Sequence, residues 1–300
     1  MDNIVQRSFI FGSEWLYYKI YTGYKTADLI LTDVIKPISE ELVDQGYIDK
    51  WFFIRYGDPK HHLRVRFRLT NNDYFGKIIN SMYVNLRDYN EQELIWKVQL
   101  DTYHRELMRY GMDTIEFSET LFYYDSKSIV EFLDLIEGDD GEQLRWLFGL
   151  RSIDHLLDIF GYSLQKKLIL LDILKTSFGK EFGMARPLKK QLDDKYRKLR
   201  EEIETFMVFT KESNPDYEPI LTILDRKKEK LKPFANQILV SLNSGTKDLT
   251  QSNLISSYIH MLMNRLFKSK NRLNEMVSYD FLYRYYKTVL AKKKYKLNSK

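Results

Sequence analysis

The chain contains no cysteine, which removes disulfides, thiolate nucleophiles and cysteine-based zinc sites together and fits a reducing, cytoplasmic setting. It also lacks a long apolar run. The opening MDNIVQRSFIFGSEWLYYKIY has no basic region followed by uninterrupted apolar residues, so it predicts neither a secretory signal nor a membrane span. No P-loop, Rossmann glycine fingerprint, HExxH helix or nucleophile elbow is present, which disfavours nucleotide-dependent chemistry. His61 and His62 are adjacent but would face opposite sides of a strand, so no metal site is expected. The net charge of +5 is mild, and its clusters, Lys292-Lys293-Lys294 and Arg226-Lys227-Lys228, read as solvated faces. Charge alone predicts no tRNA binding.

What is present is a large apolar and aromatic content, 44% and 15% of 300 residues, enough for a substantial core. Up to about residue 110 the pattern is mixed. Trp15 to Tyr21 is aromatic-rich and extended, residues 25 to 44 have helical spacing, and Trp51 to Tyr56, the turn Gly57-Asp58-Pro59 and the alternating run His62 to Leu69 predict an antiparallel hairpin. Residues 73 to 90 predict a helix and Leu94 to Tyr103 another strand. Beyond about residue 113 glycine and proline become sparse and apolar residues recur at helical intervals up to Lys294. Breaks are expected at Glu137 to Gly141, Ser213 to Asp216 and Asn243 to Gly245, with no repeat or low-complexity linker. The fold class is α+β: a small antiparallel sheet with helices in the N-terminal third, mainly helix in the remaining two thirds, and a single domain over residues 1–300.

Three segments could carry chemistry. In His62 to Leu69, period-two geometry sends His62, Arg64, Arg66 and Arg68 to one face and the apolar residues to the other. That row is either a solvated edge strand whose arginines pair with surface carboxylates, or an anion-binding face. Guanidinium groups about 7 Å apart along a strand can hold a carboxylate bidentately or stabilise an enolate. In Tyr103 to Gly111, Glu106 and Arg109 are neighbours on a helical turn, forming a plain ion pair or fixing Arg109 toward a cleft. In Ser252 to Phe267, Ser256, His260 and Asn264 lie on one helical stripe. His260 is then either a buried histidine satisfied by those hydroxyl and amide groups, or an oriented acid/base residue.

Taken in order, FGSEWLYYKIYTG, WFFIRYGDPKHHLRVRFRL, YHRELMRYG and SYIHMLMNRLF resemble the C-terminal elimination domain of class I lantibiotic dehydratases and the thiopeptide-type bacteriocin biosynthesis proteins. The resemblance runs from about residue 9 to about residue 290. It implies a lyase that expels glutamate from glutamylated Ser/Thr of a ribosomally made precursor peptide, leaving dehydroalanine or dehydrobutyrine. A separate enzyme would have glutamylated the peptide from glutamyl-tRNA. By resemblance Arg64 and Arg66 match the paired arginines of the HLRxR motif, Arg109 the arginine of ExxRYG with Glu106 beside it, and His260 the histidine before NRL. These four, Arg64, Arg66, Arg109 and His260, are the expected catalytic set, with His62, Glu106 and Asn264 supporting them or binding substrate. No cofactor is expected, and a homodimer is expected only by analogy. The chain departs from the family at Met112, where a second glycine commonly follows RYG, so a different local turn is expected there.

Two other functions remain open. Related stand-alone proteins form the pyridine core of thiopeptides by formal four-plus-two cycloaddition. A non-catalytic module could instead recruit the precursor peptide, with the aromatic strand Trp15 to Tyr21 accepting an extended chain by strand addition. Retention of the Arg64, Arg66, Glu106, Arg109 and His260 set favours elimination, since cycloaddition has no glutamyl group to recognise.

Overall fold

A computed structural model describes residues 5–136, 138–183, 185–244 and 249–298. Its contacts form two compact units. The first comprises the chain up to Leu135 with Pro233–Ser257 and Asn264–Ser269; the second comprises Ile136–Lys232, Tyr258–Met263 and the chain from Lys270 onward.

The first unit is α+β. Strands β1 (Ser8–Phe9) and β2 (Trp15–Thr22) precede α1 (Tyr24–Leu29), which continues through a π-helical stretch (Ile30–Ile35) into α2 (Lys36–Asp44). Then come β3 (Ile48–Tyr56), β4 (His62–Leu69), α3 (Phe75–Glu91), β5 (Ile95–Leu100), β6 (Tyr103–His104), the one-turn α4 (Leu107–Tyr110) and α5 (Ile115–Leu133). The expected hairpin is β3–β4, and the strand expected over Leu94 to Tyr103 is divided. Its first part, β5, joins an antiparallel sheet of order β3-β4-β2-β5, and its second, β6, pairs with β1.

Register explains the core. Leu63, Val65 and Phe67 share a face with Leu16 and Ile20 of β2 and Trp51 and Phe53 of β3, and all are at most 3% exposed. Each such side chain contributes roughly 1.5–3 kcal/mol through burial. Two expectations are corrected here. β4 is an interior strand between β3 and β2, so its arginines do not line a solvated edge. β2 is also interior, between β4 and β5, and offers no free edge for an added peptide strand.

The outer edge of β3 is closed by side chains. Ser126 Oγ of α5 accepts from Phe53 N at 3.1 Å, and Asn264 accepts from Arg55 N and donates to Arg55 O, both at 2.9 Å. Arg265 Nε donates to Phe53 O at 2.8 Å. Edge strands left bare invite pairing with other chains, and these contacts engage the outward backbone groups of Phe53 and Arg55 instead.

The second unit is helical: α6 (Gly138–Ile159), α7 (Leu164–Glu181), α8 (Arg186–Val208), the beginning of α9 (Glu218–Ser244), the middle of α10 (Gln251–Leu266) and α11 (Asn271–Asn298). Ser163 caps α7 by accepting from Lys166 N at 3.3 Å. The long α8 buries Leu192, Tyr196, Ile203, Phe206 and Met207, a stripe at helical spacing along an otherwise charged sequence. Phe281 of α11 is fully buried and meets Trp146 of α6 and Tyr196 of α8 edge-on, each at 5.2 Å. The break expected at residues 213–216 falls between α8 and a short turn, Pro215–Tyr217. Of the other two, Glu137 and Gly245 themselves lie outside the described residues; α6 starts at Gly138 and α9 ends at Ser244. Among the described residues no helix is long and apolar enough to cross a membrane.

Candidate active site

The second face of the sheet carries the polar row. Antiparallel register sets Arg66 between Tyr17 of β2 and Phe52 of β3, Arg64 between Lys19 and Ile54, and His62 between Tyr21 and Tyr56. The four polar residues of β4 then differ sharply in their surroundings.

Arg68 is neutralised: its Nε donates to Asp49 Oδ1 at 2.8 Å and its Nη2 to Oδ2. Arg66 is not. It is 7% exposed, and its guanidinium carbon sits 4.3 Å from the ring centre of Tyr17, 4.8 Å from Tyr103 and 5.2 Å from Phe52. No carboxylate pairs with it among the described residues, and its buried Nε has no hydrogen-bond acceptor. Burial pulls its pKa below the ordinary arginine value, with Tyr17, Tyr103 and Glu106 acting in the opposite direction. Aromatic faces attract the cation but offer no lone pair, so the guanidinium's donors stay available for an anion.

Arg64 lies beside it, half-buried, its guanidinium carbon 3.5 Å above the Tyr56 ring centre. Its Nε donates to His62 Nε2 at 3.1 Å. Arginine has no acceptor, so Nε2 must supply the lone pair, and the proton on Nδ1 is donated to Lys60 O at 2.8 Å. Burial, followed by the Arg64 charge, holds the His62 pKa below the usual histidine range. A neutral His62 therefore orients Arg64, and its Nε2 is occupied by that task.

Glu106 and Arg109 form the expected pair, Oε2 to Nη1 at 3.2 Å, with both side chains well exposed. Just before them in sequence, Arg105 is buried in a bidentate ion pair with Glu119, 2.7 Å on each arm. The same Glu119 accepts from the Tyr103 hydroxyl at 2.9 Å. That fixes one wall of the Arg66 box, a role sequence reading did not assign. The available signal was strand parity, which sets Arg105 on the buried side with Tyr103. The turn closing this segment is made by Gly111 (φ +76°), where a Cβ would come within 3.0 Å of Leu249 and Thr114. Met112 is exposed and its φ is not positive, so this position accepts a side chain without strain.

In the second unit, His260 on α10 is oriented by a partner that sequence reading missed. Its Nδ1 lies 2.8 Å from Oε1 of Glu275 on α11, a fully buried carboxylate whose Oε2 accepts from Tyr279 at 3.1 Å. The signal was a carboxylate on the same stripe as the buried Met276 and Tyr279. The expected hydroxyl and amide partners are engaged elsewhere: Ser256 donates to Ser252 O at 2.7 Å, and Asn264 is committed to the β3 edge. Asn264 is thus seen as a closure of the sheet. Arg64, Arg66, Glu106, Arg109 and His62 belong to the first unit; His260 belongs to the second.

The family model described as lantibiotic biosynthesis dehydratase C-term matches residues 15–286, and the chain belongs to that family. It is 24% identical over 270 residues to the subtilin biosynthesis protein SpaB of Bacillus subtilis, which accounts for 88% of this chain and 25% of that protein. The chain thus spans about a quarter of the length of the curated relatives it matches. Its fold resembles the tRNA-dependent lantibiotic dehydratase MibB from Microbispora sp. 107891 (TM-score 0.71, 23% identity, 91% of this chain and 28% of that one). It also resembles the pyridine synthase TbtD from thiomuracin biosynthesis (TM-score 0.63, 13% identity, 92% of this chain and 100% of that one).

Proposed function

We propose that this chain eliminates glutamate from glutamylated Ser/Thr residues of a ribosomally synthesised precursor peptide, acting after a separate enzyme that attaches the glutamate, in the cytoplasm and without a cofactor. The carrying observation is Arg66: a buried guanidinium, boxed by three aromatic rings, with no counter-ion among the described residues. Burying a cation costs several kcal/mol, and the arrangement gives a return when an anion docks. A glutamyl carboxylate, or the enolate-like oxygen that develops during elimination, supplies that anion.

The chemistry requires a base at the α-carbon and stabilisation of the charge left behind. In this reading His260 takes the α-proton, the C–H electrons form the Cα=Cβ bond, and the Cβ–O bond breaks to release glutamate as a carboxylate. Arg64, Arg66 and Arg109 divide glutamyl binding and enolate stabilisation among themselves, with Glu106 holding Arg109 and His62 holding Arg64. The family membership and the matched motifs support this step over others. A homodimer is proposed only by analogy with the family.

The test is the purified chain incubated with a glutamylated precursor peptide or synthetic mimic, read by mass spectrometry. Elimination removes the mass of one glutamic acid per modified residue. Pyridine formation with leader loss from a peptide already bearing dehydroalanines would instead indicate cycloaddition. Tight binding with no turnover of either peptide would indicate a recruiting module.

A further inference from the structure

Glu275 is a carboxylate built into the interior of the second unit. It is fully buried, and donors surround it: His260 Nδ1 at 2.8 Å, the Tyr279 hydroxyl at 3.1 Å and an Arg272 guanidinium nitrogen at 3.9 Å. Arg272 is anchored from its other side by a bidentate pair with Glu181 of α7 and lies 4.0 Å above the ring centre of Phe178. Phe178 in turn meets Tyr279 edge-on at 5.0 Å. Both carboxylate oxygens are therefore occupied and the group is locked between α10 and α11. His260 lies at the opposite end of this chain of contacts from the Arg272–Glu181 pair, with its side chain 28% exposed.

We infer that Glu275 is a positioning residue that selects the tautomer of His260 and stabilises its protonated form. A carboxylate accepts only, so His260 must carry its proton on Nδ1, which leaves the Nε2 lone pair as the base. When Nε2 takes a proton from substrate, the Nδ1–H bond to Glu275 stays intact. The imidazolium then faces, at 2.8 Å, a carboxylate whose own side chain is fully buried. The proton stays on Nε2, not on Glu275, and leaves through the exposed side of the ring to solvent. A histidine serving merely to satisfy a buried glutamate would need the same contact, but its tautomer would have no bearing on turnover.

The catalytic arm of this inference rests on the elimination reading; the tautomer arm does not. Chain labelled with 15N-histidine, studied by long-range 1H–15N correlation at mildly alkaline pH, is expected to show His260 as the Nδ1–H form. Glu275→Gln keeps an acceptor oxygen of the same shape and should retain that tautomer, while kcat for glutamate release falls about 10²-fold and KM changes less than about twofold. Glu275→Leu should shift His260 to the Nε2–H form and lose more activity than the glutamine variant. An Nε2–H tautomer in the wild-type chain, or Gln and Leu variants with wild-type kcat, would overturn the inference. If the wild-type chain releases no glutamate, the elimination reading fails and the tautomers in the wild-type and Leu chains alone decide the positioning role.

Discussion

Replacing Arg66 by methionine should make the protein more stable and much less active. An unpaired buried guanidinium costs several kcal/mol of desolvation, and the three ring contacts at 4.3, 4.8 and 5.2 Å return about 0.5–2 kcal/mol each. Methionine keeps most of the apolar stem and a sulfur against the same rings. The net expectation is a gain of about 1–3 kcal/mol, or roughly 2–4 °C in midpoint per kcal/mol for a unit of this size. For activity, loss of a forked pair of charge-assisted hydrogen bonds to an anion, each about 1.5–3 kcal/mol, predicts a fall in kcat/KM of about 10²–10⁴. Lysine, which keeps the charge but not the fork, should leave stability nearly unchanged and still lose activity. Thermal melts and the rate of glutamate release from a glutamylated peptide read the two effects separately. If methionine lowers stability, Arg66 is part of the scaffold; if activity survives, no anion docks on it. Either result refutes the reasoning.

The sequence carried the helical two thirds and the β3–β4 hairpin because both depend on local periodicity, and it carried the facing of β4 because alternation is local too. It did not carry β4's place in the sheet. A row of His62, Arg64, Arg66 and Arg68 looks solvated until its neighbours are known, and the rings that bury Arg66 come from β2, β3 and β6. Arg64, Arg66, Glu106 and Arg109 were legible as a set through the resemblance, yet the unequal state of the arginines was not. Arg68 is spent on Asp49, while Arg66 has no carboxylate partner among the described residues. The same holds around His260: the histidine could be named from its helix, but its orienting group is fifteen residues on and turns inward only because α11 packs beside α10. Asn264 lies one helical turn from His260, which is all that local periodicity shows of it. The strand it closes is 209 residues away in sequence, beyond any periodic signal.

Two further outcomes test these structural assignments. Asn264→Ala removes both bonds to the Arg55 backbone, so it should cost about 1–3 kcal/mol in urea unfolding; a loss below about 0.5 kcal/mol would show that the edge is closed without it. The last concerns acid. His155 of α6 is largely buried, its Nδ1 has no hydrogen-bond partner among the described residues, and burial pushes its pKa down from 6.5 to about 4. Between these two values the unfolded chain binds a proton that the folded chain does not. Folding stability must therefore be complete above about pH 6.5 and decline as pH falls toward about 4, by about 3 kcal/mol for this residue alone. Burial also holds His61 and His62 below the usual histidine range, so they add to the decline with the same sign. His155→Leu removes the titrating group without leaving a buried polar atom. Its unfolding free energy, followed by urea titration at successive pH values, should fall less steeply across this window than that of the wild-type chain. An equal slope in the two proteins would mean that His155 takes up its proton in the folded state as readily as in the unfolded one.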